Sequence, residues 1–245
     1  MRRAALAAVV AAALVAAPAA AAPTVTVFAA ASLSGIFPRI DRHARYSFGG
    51  SDQLALQIQQ GAPADVFAAA SPKFPQLLYH SGLVTKPVVF ATNKLIVLTP
   101  RANPARIQSV YDLRRPGLKI VIGDPTVPVG AYTRQILDTL GITAPVMKNV
   151  VSQETDVKGI VAKVAVGEAD AGFVYATDAK PVAARTHAVP LPRWAQPPIR
   201  YEIVVVKGKP RAAAARRFVR EVLSARGRAA LRRAGFGLPP LRTHP

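Results

Sequence analysis

Short apolar or β-branched runs alternate with segments of helical periodicity along almost the whole chain. That alternation constrains the fold more than any other feature, because it specifies strands linked by helices in α/β layers with largely parallel sheets. Thr24 to Ala29 reads as a strand. Leu33, Ile36, Phe37 and Ile40 then share one helical face, and Pro38 keeps that helix short or irregular. Tyr46 to Phe48 is a brief strand, and Gly49-Gly50-Ser51 opens a helix carrying Leu54 and Ile58. Asp65 to Ala68, Lys94 to Leu98, Lys119 to Ile122, Ala171 to Tyr175 and Tyr201 to Val206 read as further strands. Helices are expected around Phe74 to Leu78, from Val110 to Leu113, and from Pro128 to Leu140. Another begins after Asp156, with Val157, Ile160, Val161 and Val164 on one face and Gly167 closing it. No repeat of solenoid length is evident.

The 245 residues suit one large domain or two modest ones. Residues 1–22 read MRRAALAAVVAAALVAAPAAAA. Two arginines, an Ala/Val/Leu run and small residues before Pro23 form a secretory signal peptide, cleaved near Ala22. The run is alanine-dominated and broken by Pro18, unlike a membrane anchor. The chain has no cysteine, which excludes disulfides, thiolate chemistry and lipid attachment at sulfur. The expected location is therefore periplasmic, without a lipid tether. His43, His80, His187 and His244 lack metal-ligand spacing.

The net charge of +19 falls to +17 when Arg2 and Arg3 leave with the signal segment. Such a charge suggests an acidic partner: nucleic acid, an anionic surface or a small anion. Export argues against nucleic acid. The C-terminal arginines, Arg211 through Arg233, flank an apolar face of Phe218, Val222, Leu223 and Leu231, so they read as a solvated helix face. No G-x-S-x-G elbow, P-loop or dinucleotide fingerprint is present, and catalysis is not expected.

Several strand-to-helix junctions place small or hydroxyl residues where a helix begins. Ser32 follows the first strand, Ser51 follows Gly49-Gly50, Val129 and Gly130 follow Gly123-Asp124-Pro125, and Val157 follows Asp156. Helix starts carry free N–H groups and a partial positive charge, so they suit anions. One such junction means little, since a serine there is ordinarily a cap. Four of them at the carboxyl ends of strands mark a candidate anion site. Tyr175, ending an apolar strand, is by itself a core tyrosine and joins the set only through this company.

Those segments, together with Gly61-Ala62-Pro63-Ala64-Asp65-Val66-Phe67 and Gly167 to Tyr175, resemble the periplasmic molybdate-binding proteins of ABC importers. They stand in the family's order across nearly the whole mature chain. The resemblance implies a two-lobed, type II periplasmic-binding-protein fold with the ligand in the interlobe cleft. It implies ligand contacts at Ser32, Ser51, Val129, Val157 and Tyr175, with hydroxyls from Ser32, Ser51 and Tyr175 and backbone N–H groups from the two valines. Lobe 1 is expected to comprise 23–99 plus 203–245, and lobe 2 100–202. The hinge is expected near Leu98 to Arg101 and Tyr201 to Val204. Molybdate or tungstate is the implied ligand, a membrane permease the implied partner, and a monomer the implied state. No cofactor is expected, and molybdenum enters only as its oxyanion, without direct protein ligands. Sulfate or phosphate is the alternative ligand. Ser32 and Ser51 stand closer together than is usual in the family, and Val129 replaces a common alanine. Asp52, beside Ser51, is expected to face solvent or cap its helix rather than approach the anion.

Overall fold

The computed structural model describes residues 24–240. The signal segment and its cleavage point lie outside them. From the amino end, the chain forms β1 (Thr26–Ala30), a 3-10 turn (Ala31–Leu33), α1 (Phe37–Ile40), β2 (Arg45–Gly49), α2 (Ser51–Gln59), β3 (Val66–Ala69), α3 (Lys73–His80) and β4 (Val88–Asn93). It continues with β5 (Leu95–Pro100), a 3-10 turn (Val110–Arg114), β6 (Ile120–Gly123), α4 (Pro128–Thr139), α5 (Thr143–Met147), β7 (Val150–Glu154) and α6 (Val157–Ala165). Then come β8 (Ala171–Tyr175), α7 (Ala176–Ala179), β9 (Thr186–Pro190), β10 (Ile199–Val205), α8 (Ala212–Leu223) and α9 (Ala225–Ala234).

The strands build two five-stranded sheets, ordered β2-β1-β3-β10-β4 and β7-β6-β8-β5-β9. Each sheet is the centre of one lobe. The sheets are mixed rather than largely parallel. In the first, β1 pairs with β2 and β3 in parallel, while β10 runs antiparallel to β3 and β4. In the second, β6 pairs with β7 and β8 in parallel, while β5 runs antiparallel to β8 and β9. The parallel pairs are the ones whose strands feed the helix starts of the candidate site.

Sheet membership moves the expected lobe boundaries. β5 belongs to the second sheet and all of β10 to the first. The chain therefore crosses at Lys94 and again between Pro190 and Ile199, not at 98–101 and 201–204. Periodicity identifies a strand but does not say which sheet pairs with it, which is why this boundary was displaced. The side chain of Gln196 ties the two crossings together. It accepts from Leu95 N at 3.1 Å and donates to Leu95 O at 2.7 Å.

Asp65, fully buried at the start of β3, holds the first lobe together: its Oδ2 accepts from Thr26 N and Arg211 Nε, both at 2.7 Å. In α8 and α9, Phe218, Val222 and Leu231 are buried while Arg216, Arg217, Arg232 and Arg233 are exposed, as expected of a solvated basic face. No helix among the described residues is long and apolar enough to cross a membrane.

Candidate functional site

Strand register brings the two serines together. Ala30 of β1 pairs with Gly49 of β2. Ser32 and Ser51 each lie two residues beyond those partners, so the short connection through α1 still delivers them side by side. From the second lobe, β6 leads to the start of α4, β7 to the start of α6, and β8 ends at Tyr175. These ends converge on a cavity of about 20 Å³ lined by Ser32, Ser51, Val129, Val157 and Tyr175, among others. All five predicted residues are thus brought together, and all five are buried. The cavity is far smaller than the several-hundred-Å³ pockets that hold drug-sized ligands.

The hydrogen bonds around it favour a ligand that only accepts. Ser51 Oγ accepts from Ala70 N at 3.1 Å. An amide can only donate, so the Ser51 proton is left free for the cavity. Tyr175 hydroxyl is fully buried and has no hydrogen-bond partner. Burial, with smaller contributions from Tyr201, Tyr132 and Asp178, pushes its pKa well above the ordinary phenol value, so it remains a neutral donor. Ser32 Oγ lies 2.9 Å from Tyr201 hydroxyl.

The helix starts supply N–H groups. Pro128 opens α4 without an N–H of its own, leaving Val129 and Gly130 as its first donors. Gly130 is required there, since a Cβ would stand 1.9 Å from Asp124 O. Asp156 caps α6 by accepting from Lys158 N at 2.6 Å and Gly159 N at 3.4 Å. Asp156 itself lines the cavity; its Oδ1 is taken by this cap, and Val157 N–H stays uncapped. Among the described residues, no Lys, Arg or His side chain lines the cavity.

Asp52 does not line the cavity. Its Oδ2 accepts from Thr126 Oγ1 at 2.6 Å, so it reaches across to the second lobe rather than facing bulk solvent or capping α2. A Cβ on Gly50 would stand 2.6 Å from Thr155 O and 3.1 Å from a methyl of Val127. The lobes are therefore in contact along this edge. On the other side of Ser32 lies a groove of about 580 Å³ lined by Arg39, Lys158, Lys180, Arg226 and Arg233. It contains none of the other four site residues, and the convergent donors mark the smaller cavity as the site.

Tyr201 is the neighbour that the sequence did not reveal. Its ring packs edge-on against Tyr175, Phe90 and Phe236, and its hydroxyl touches Ser32 and Asn93. In sequence it reads as one more apolar residue of a strand.

A two-lobed α/β protein whose lobes meet over a small, buried, donor-lined cavity is a solute-binding protein for a small anion. The comparisons agree with that class. The pattern of the bacterial extracellular solute-binding protein family matches residues 8–237, and this chain belongs to that family. It is 40% identical over 226 residues to the molybdate-binding protein ModA of Mycobacterium tuberculosis H37Rv, covering 88% of this chain and 85% of that protein. It is 32% identical to ModA of Haemophilus influenzae, covering 75% and 78%. Among solved structures, the periplasmic molybdate-binding protein of Azotobacter vinelandii superposes with a TM-score of 0.78 at 26% identity, over 88% of this chain and 99% of that one. The sulfate-binding protein SubI of M. tuberculosis H37Rv shares the fold, with a TM-score of 0.75 at 17% identity over 89% and 88%.

Proposed function

We propose that this protein captures molybdate outside the cytoplasm, takes tungstate by the same contacts, and delivers the anion to an ABC transporter permease. One observation carries the reading most: two serines, a tyrosine and two helix starts, contributed by both lobes, converge on one small cavity without a cationic side chain. Molybdate is a tetrahedral dianion without a proton near neutral pH, so it only accepts hydrogen bonds. Neutral donors match it, and hydrogen bonds to an ionised partner are stronger than neutral ones. The helix-start potentials balance its charge. The identity to molybdate-binding relatives over most of the chain points to the same ligand.

Ser32 and Ser51 hold the anion from the first lobe, and Val129 N–H, Val157 N–H and Tyr175 hydroxyl from the second. The ligand then bridges the lobes, and closure creates the surface that a permease reads. Hydrogenphosphate carries a proton that needs an acceptor; Asp52 lies outside the cavity lining with its Oδ2 on Thr126, and Asp156, within the lining, commits its Oδ1 to capping α6. Sulfate is proton-free but smaller, so it reaches fewer donors at once.

Thermal unfolding of the mature, ligand-free protein with molybdate, tungstate, sulfate or phosphate tests this. Ligand at about 100 times its dissociation constant stabilises by about 2.7 kcal/mol. For a chain of this size that raises Tm by roughly 5 to 11 °C. Molybdate and tungstate should produce this shift and phosphate should not. A shift with sulfate or phosphate alone would assign the site to that oxyanion instead.

A further inference from the structure

Ser32 touches the proposed ligand, yet a serine hydroxyl can donate or accept. Which of the two it does decides whether the cavity tolerates a protonated oxyanion. The surroundings of Tyr201 settle the direction.

Asn93 sits at the last position of β4, where the chain leaves the first lobe. Its Oδ1 accepts from Lys94 N at 2.9 Å. A backbone N–H only donates, so the amide orientation is fixed and Nδ2 points the other way. Asn93 Nδ2 donates to Thr177 Oγ1 at 3.0 Å and to Tyr201 hydroxyl at 3.4 Å. Tyr201 is fully buried, and burial pushes its pKa well above the ordinary phenol value, so its proton is retained. Its oxygen accepts from Asn93. The other hydroxyls beside it are Ser32 Oγ, at 2.9 Å, and that of Tyr175, which makes no hydrogen bond of acceptable geometry, so Ser32 is the remaining partner. A buried hydroxyl proton left unpaired is costly, so Tyr201 donates to Ser32. Ser32 Oγ then accepts, and its own proton is turned towards the cavity.

We propose that Tyr201, held by Asn93, is a positioning residue that sets anion specificity by fixing Ser32 as a donor. The chain Asn93 to Tyr201 to Ser32 parallels the simpler arrangement at Ser51, where Ala70 N–H fixes the second serine in the same sense. With both serine protons directed into the cavity, each serine meets the anion as a donor, so a hydrogenphosphate proton faces an O–H group rather than a hydroxyl free to rotate and accept. This inference rests on the oxyanion reading given above.

The test compares the wild-type protein with Tyr201→Phe, measuring dissociation constants for molybdate, tungstate and phosphate by calorimetry. The ring contacts with Phe90, Tyr175 and Phe236 survive this change, and Tm without ligand checks the fold. In Tyr201→Phe the Ser32 hydroxyl is free to turn and accept. Molybdate binding should weaken about tenfold or more. The preference for molybdate over phosphate should fall by about tenfold or more, while the ratio of tungstate to molybdate stays at its wild-type value, since neither ion carries a proton. Asn93→Ala, which removes the donor that orients Tyr201, should shift the phosphate ratio in the same direction by less. Equal weakening of all three anions would reduce Tyr201 to a packing residue and overturn the proposal, as would unchanged affinities. Absence of molybdate binding in the wild type would instead overturn the functional reading, so the two failures are distinguishable.

Discussion

Thr126 Oγ1 donates to Asp52 Oδ2 at 2.6 Å, linking the loop before α4 in one lobe to the first turn of α2 in the other. The same hydroxyl lies 2.9 Å from Asp124 Oδ1. It has one proton, so when the lobes part it has a second acceptor within its own lobe. The contact joins the two lobes and is not part of the fold of either half. Thr126→Val should leave Tm without ligand within about a degree. It should raise the molybdate off-rate about two- to tenfold, the worth of one ordinary hydrogen bond. Stopped-flow release into excess competitor measures this, and an unchanged off-rate would show that the contact does not resist opening.

Gly50 sits where the two lobes touch, with no room for a side chain. A methyl group there meets Thr155 O across the cleft at 2.6 Å, whereas within its own lobe it meets the carboxylate of Asp52, a side chain able to move. Gly50→Ala should therefore fold with near-normal stability and bind molybdate at least tenfold more weakly, because closure is obstructed. Small-angle scattering with saturating ligand should show the variant more open than the wild type. A variant that closes fully would contradict the role given to this glycine.

Tyr175 hydroxyl is buried and unpaired, an arrangement that costs stability unless a ligand supplies the acceptor. Tyr175→Phe removes one charge-assisted hydrogen bond of about 1.5–3 kcal/mol, so molybdate affinity should fall about 10- to 150-fold. The same change removes a buried orphan, so ligand-free Tm should hold or rise. A fall in Tm with unchanged affinity would return Tyr175 to the core.

The pH dependence follows from donors that do not titrate. Tyr175 and Tyr201 both have pKa values raised well above 10.0 by burial. Molybdate affinity should accordingly be flat from about pH 6 to 9. For stability the sign is set by the unfolded chain. There these phenols ionise near 10.0, while in the fold they keep their protons. Their contribution is intact below that value and is lost as pH rises past it. Thermal unfolding between pH 9 and 12 should show Tm falling from about pH 10. In Tyr175→Phe with Tyr201→Phe that fall should be shallower.

Much of the site was legible because helix starts have local signatures. Ser32, Ser51, Val129 and Val157 each sit at a strand-to-helix junction, and Asp156 caps its helix as its position suggests. Tyr175 required the company of the others. What the sequence withheld depends on contacts across long separations. β5 reads as a strong strand, but its pairing with β8 rather than with the first sheet is a tertiary fact, and it displaced the lobe boundary. β7 and β9 lack a decisive pattern, since exposed residues interrupt both. Tyr201 meets Ser32 from 169 positions away, and nothing local in Ile199 to Val205 marks its hydroxyl as different from a core tyrosine. Asp52 was expected to face solvent or cap its helix and does neither, because its partner Thr126 lies 74 residues on and in the other lobe.

In the proposed site, neutral donors hold one fully deprotonated oxyanion. Calorimetric titration of molybdate into ligand-free protein, repeated at pH 7 in buffers of different ionisation enthalpy, tests this most directly. One molybdate per chain and the same binding enthalpy in every buffer are expected, meaning that no proton is taken up or released. Absence of binding, or an enthalpy that varies with the buffer and so reveals a titrating group in the site, would contradict it.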